Sequence, residues 1–68
     1  MEWKIGDKYF FKLSDGGTYN GEIIRTEFFM DNIFIIINDK FGNEVGFKES
    51  KIDKYELTTK VNKVNNES

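Results

Sequence analysis

Phe28-Phe29-Met30 is the segment whose residue types point most directly to a chemical task. Two aromatics and a thioether lie in a predicted loop between strands, where turn geometry asks for neither rings nor sulfur. An exposed ring there can stack under a single-stranded or flipped base, worth roughly 1–3 kcal/mol and tolerant of sequence variation. Turned inward, one ring would plug the end of the fold while Met30 filled a gap. A second aromatic set, Trp3, Tyr9, Phe10, Tyr19 and Tyr55, forms either the core or a groove that holds a cation or an extended peptide. Phe10, opposite in parity to Tyr9 and Phe11, is the member expected to point outward.

Other chemistry is excluded by missing residue types. The chain has no cysteine and no histidine, so it has no disulfide framework, no Cys- or His-ligated zinc and no imidazole base. Asp15-Gly16-Gly17 lacks the Gly-Lys-Ser/Thr of a phosphate loop, and residues 39–44 lack the carboxylate ladder of a calcium loop. Carboxylates are plentiful, but none sits in an apolar stretch that would raise its pKa, so no catalysis and no cofactor are expected. Ten Lys and Arg face twelve Asp and Glu, a net charge of −2 that disfavours a basic protein coating nucleic acid. No apolar run approaches the roughly 20 residues of a membrane helix and no signal peptide is visible, so the expected location is cytoplasmic, away from membranes.

The elements that position these residues follow from the period of the apolar pattern. At 68 residues the chain allows one small domain, which buries only about 60% of the surface its unfolded chain exposes. Eleven aromatics help to offset that deficit. Tyr9, Phe11 and Leu13 alternate along one strand; Ser14-Asp15-Gly16-Gly17 turns; residues 18–27 form a second strand with Gly21 at a bend or close backbone approach. Ile33-Phe34-Ile35-Ile36-Ile37 reads as a central strand apolar on both faces, flanked by the gatekeepers Asp31, Asn32, Asn38, Asp39 and Lys40. Residues 39–43 make a hairpin connection, Val45 and Phe47 mark a fourth strand, and residues 52–57 a fifth after a turn at Glu49-Ser50. The predicted fold is all-β, a five-stranded small closed barrel over residues 1–57. Residues 58–68 read as a disordered C-terminal tail. That tail carries a charge of +1, leaving −3 on residues 1–57.

With the elements in order, residues 10–57 resemble the Sm-like family of Sm, Lsm and Hfq proteins. Leu13-Ser14-Asp15-Gly16 followed by Gly21 matches the spacing of the first Sm segment. Glu27-Phe28-Phe29-Met30-Asp31-Asn32-Ile33 lies where that family places an acid, an aromatic and an asparagine before an apolar strand. The resemblance implies a ring-forming, non-enzymatic barrel that binds single-stranded RNA. In it Phe29 would stack on a base, Asp31 or Asn32 would read a base edge, and Lys48 and Lys51 would meet phosphates at the pore. The chain departs from the pattern in having no histidine, no Arg-Gly after the fourth strand and no N-terminal helix. Its opening, Trp3-Lys4-Ile5-Gly6-Asp7-Lys8, is similar to the entry of Tudor and other SH3-like barrels. That likeness implies the alternative: a protein-interaction module, or a small inhibitor or regulator of the kind phages and plasmids encode. It would use Trp3, Phe10, Tyr19 and Tyr55 to grip a protein partner.

Overall fold

The computed structural model describes residues 3–59. Five strands follow in chain order: β1 Lys8–Leu13, β2 Thr18–Phe29, β3 Asn32–Asn38, β4 Glu44–Lys48 and β5 Ile52–Thr59, with a single 3-10 turn at Glu49–Lys51 before the last. All neighbours are antiparallel in one sheet of order β4-β3-β2-β1-β5. The all-β, five-stranded architecture is the one the period-two pattern predicts. β5 continues two residues beyond the expected boundary, where the Thr58 hydroxyl donates to the Lys8 carbonyl at 2.9 Å. The remainder of the expected tail, residues 60–68, lies outside the described residues.

Local chemistry sets the turns. After β1 the Asp15 carboxylate accepts the Gly17 amide at 2.9 Å, and Gly16 takes φ +94°. Between β3 and β4 one oxygen of Asp39 accepts the amides of both Phe41 and Asn43 at 2.9 Å, with Gly42 at φ +85°. These are Asx-type turns, in which a short carboxylate replaces a backbone acceptor.

Alternation then sorts the faces. Tyr9, Phe11 and Leu13 of β1, Ile23 of β2, Ile35 and Ile37 of β3 and Phe47 of β4 form the buried cluster, with Trp3, Val45 and Ile52 packed against it. Ile36 faces the other side and is buried as well, between Arg25 and Gly46. The continuous apolar run therefore does have both faces covered at its centre, whereas Ile33 at its start is exposed.

The sheet curls strongly. Phe47 on one edge strand packs edge-on against Phe11, with ring centroids 5.0 Å apart, and stacks on Tyr19 at 5.6 Å. Only Glu49–Lys51 separate the end of β4 from Ile52, which pairs with Leu13, and the Ser14 amide donates to the Lys51 carbonyl at 2.8 Å. Side chains close the interior, but the hydrogen-bonded ladder does not: β4 and β5 remain the two edges of an open sheet. The expected removal of edges by full closure is corrected accordingly. Five short strands fill the interior with rings before β4 and β5 come within ladder distance.

β2 is the strand both halves share. Its first part pairs with β1 from Thr18 to Glu22, its second with β3 from Glu22 to Phe29, and a bulge falls between Ile23 and Arg25. Gly21 stands at the junction, where a Cβ would lie 2.6 Å from the Asn38 carbonyl oxygen and 3.1 Å from the Ile37 side chain. The close approach expected of a mid-strand glycine is present. Gly21→Ala is predicted to destabilise the fold by about 1–3 kcal/mol, because the obstructing atom is backbone. Gly46→Ala, whose nearest neighbour would be at 3.5 Å, should stay within about 0.5 kcal/mol. Denaturant titration of the two variants checks the contrast, and equal losses would refute the close-approach account.

Candidate functional site

The β2–β3 hairpin outruns the rest of the sheet. β1 pairs with β2 no further than Glu22, and β4 with β3 no further than Phe34. The last two pairs, Phe28 with Ile33 and Phe29 with Asn32, thus form a two-stranded ribbon with no third strand on either side among the described residues. The molecule measures 41 × 23 × 22 Å along its principal axes. Phe28, Phe29 and Met30 are 72, 63 and 75% exposed, a density of exposed apolar groups unlike single scattered surface residues.

The turn itself is tighter than the loop expected from sequence. Phe28 and Phe29 belong to β2, and the connection is Met30-Asp31 alone, with φ values of +51° and +64°. Positive φ at both central residues suits a two-residue hairpin, whose twist then matches the flanking strands. Asn, Asp or Gly normally fill such positions; methionine gains no local hydrogen bond there and loses roughly 1–2 kcal/mol to the contact of Cβ with the backbone. Asn32 secures the turn by donating its Nδ2 to the Met30 carbonyl at 2.9 Å.

The fold brings part of the predicted nucleic-acid set together. Phe29, Asp31 and Asn32 share the hairpin end. Phe29 and Asn32 are register partners on one face, and two residues further along β3 the same face carries Phe34 opposite Glu27 and Lys48. Lys51 is tied instead to the start of the β1–β2 turn through its carbonyl. Between the hairpin and β4, Arg25 bridges Glu27 at 2.8 Å and Glu44 at 3.2 Å, and these hydrogen bonds hold its guanidinium pKa above the ordinary value. One cation is thereby neutralised by two carboxylates. Sequence spacing did not single out Arg25, and it singled out Met30 as an exposed or gap-filling thioether rather than as a turn residue at positive φ; Asp-Asn before the isoleucine run was the signal for the tight turn.

The alternative peptide-binding set divides. Trp3 meets Tyr9 and Tyr55 at centroid distances of 5.2 Å and Phe11 at 5.6 Å, and its indole Nε1 donates to Glu49 Oε2 at 2.6 Å. Tyr19, itself exposed, stacks on Phe47 away from Trp3 and Tyr55, and Phe10, half-buried, faces the other side of β1. Among the described residues no group of three or more acidic side chains could hold a metal ion.

Tyr9 lies buried in this aromatic set, and burial first, then the charges of Asp7 and Tyr55, hold its phenol above its ordinary pKa. An unfolded phenol ionises near pH 10, so above that pH the native state binds the extra proton and stability declines as pH rises toward the folded value. Below pH 10 the two states are protonated alike. Denaturation midpoints measured from pH 8 to pH 11 should fall more steeply for the parent chain than for Tyr9→Phe; parallel slopes would remove Tyr9 as the cause.

No protein-family model, curated protein or solved structure matches the chain, so the role of the hairpin rests on its own geometry.

Proposed function

We propose that this protein is a non-enzymatic interaction module that grips another protein with the end of its β2–β3 hairpin. The observation that carries the reading is Met30 held at positive φ and 75% exposed, beside two exposed phenylalanines. Strain and solvent-facing rings both oppose folding, and a binding surface is where such costs are kept. The charge points to the partner's character. Residues 1–57 carry −3, and Glu27 and Asp31 border the hairpin end. The fitting partner has an apolar pocket rimmed by basic side chains.

A second reading, single-stranded RNA bound by a ring of Sm-like barrels, has its own support. Phe29 and Asn32 sit side by side with Lys48 on the same face, and the unpaired edges of β4 and β5 leave room for pairing between copies. Against it stand the acidic balance and the neutralised Arg25, which weaken the phosphate attraction that dominates nucleic-acid affinity.

Two measurements test the proposal. A protein captured from source-cell extract by the parent chain, then purified, should bind the double variant Phe28→Ser/Phe29→Ser about 100-fold more weakly, as loss of two anchors requires. Undiminished binding would overturn the assignment. Met30→Asn combined with Asp31→Gly should raise folding stability by about 1 kcal/mol while weakening that same complex, since relief of strain and loss of contact are separable here. Salt-sensitive fluorescence anisotropy with U-rich or A-rich oligonucleotides, abolished by Phe29→Ala and accompanied by a multimer in light scattering, would instead favour the RNA reading.

A further inference from the structure

A cleft of about 210 Å³ opens between the 3-10 turn and β5, lined by Trp3, Glu49, Ile52 and Tyr55. It shares no residue with the hairpin end. Pockets for drug-sized ligands run to about 300–1,000 Å³, so this one suits a group the size of a single side-chain head. Its chemistry is specific in sign. Trp3 and Tyr55 set their rings edge to face, 5.2 Å between centroids at 70°, and Tyr55 is 48% exposed, leaving ring surface accessible. The Glu49 carboxylate stands at the same place. Its Oε2 accepts the indole proton, and its Oε1 has no partner among the described residues. Lys48 and Lys51 flank Glu49 in sequence, but neither lines the cleft, and Asp53 follows on β5.

We infer that this cleft binds an organic cation, a guanidinium or alkylammonium group, against the Tyr55 and Trp3 rings with the Glu49 carboxylate as counter-ion. The negative face of an aromatic ring attracts a cation within about 6 Å, and a guanidinium is planar enough to lie on Tyr55 while donating to a carboxylate oxygen. Two sources can supply such a group. One is a free small amine. The other is an arginine in an extended segment that pairs with the unfilled edge of β5, because alternate side chains of an added strand fall on the face carrying Tyr55. The inference is independent of the hairpin reading, since either surface can be removed without touching the other.

The chain contains a single tryptophan, so Trp3 emission reports on the cleft directly. The parent protein is titrated with ethylguanidinium, tetramethylammonium and the blocked peptide acetyl-Thr-Val-Arg-Val-Thr-amide. Ethylurea and the citrulline form of the peptide serve as neutral counterparts. Saturable change with the cations alone is expected. Glu49→Gln, which keeps an acceptor for the indole, should weaken it by roughly ten-fold, as should Tyr55→Leu. A peptide at least ten-fold tighter than ethylguanidinium would name a partner's arginine as the source; equal affinities would name a free cation. Thermal melts of both variants matching the parent show that the fold is intact, and for a variant that melts early the Tyr55 ring resonances of the parent, followed by NMR, give the readout. Neutral counterparts binding as well as cations, indifference to Glu49→Gln, or no response of either Trp3 or Tyr55 to any cation would overturn the inference.

Discussion

The approach of the β2 backbone to the carbonyl of Asn38 at Gly21 is the contact on which the architecture depends. β2 must serve β1 with its first half and β3 with its second, and the two halves can face a common interior only if the strand bends where they meet. A side chain at position 21 would occupy the space the Asn38 carbonyl already fills. The bulge between Ile23 and Arg25 completes the bend and restores alternation on the far side. With the bend in place, Phe47 from one edge strand reaches Phe11 near the other, and a chain of this size acquires an interior at all.

The same bend explains the exposed end. Once β2 turns away from β1, its distal part has one partner strand, and the final two pairs of the hairpin pass beyond the reach of β4. Phe28 and Phe29 point to opposite faces of that ribbon, as the pleat demands, but among the described residues neither face has a layer to pack against. The pattern that buries Phe11 and Phe47 within the curl leaves equally apolar residues in water a few residues further on. Their surplus of exposed apolar surface, together with a methionine in a left-handed turn position, is a local conflict with folding of the kind that marks interaction surfaces.

How much of this was legible beforehand differs by residue. Period-two alternation placed β1 and the Val45–Phe47 pair correctly, and the continuous β-branched apolar run placed β3, because each lies beside the core and its pattern records that burial. Gly21 was recognisable since only close approach or a bend justifies a bare Cα within a strand. Phe28 and Phe29 were harder. Placed near turn residues they resembled a loop, whereas they end a long strand, and sequence carries no mark for where a neighbouring strand stops. The aromatic groove suffered from the same limit: Trp3 and Tyr55 converge because the N-terminal segment folds back over β1 and β5, while Phe10 and Tyr19 are directed elsewhere by parity and by Phe47.

Composition and local pattern determined by themselves the all-β character, the turns after Leu13 and after Asn38 and the absence of thiol and imidazole chemistry, since these follow from residue types and nearest-neighbour sterics. Tertiary structure alone decided that the ladder stays open at β4 and β5, that the hairpin projects without a supporting strand, and that Glu49 meets Trp3 across 46 positions of chain. The physical reason is that curvature of a sheet accumulates from many small twists and one bend, so the position at which a strand loses its neighbour is a property of the whole sheet and of no single segment.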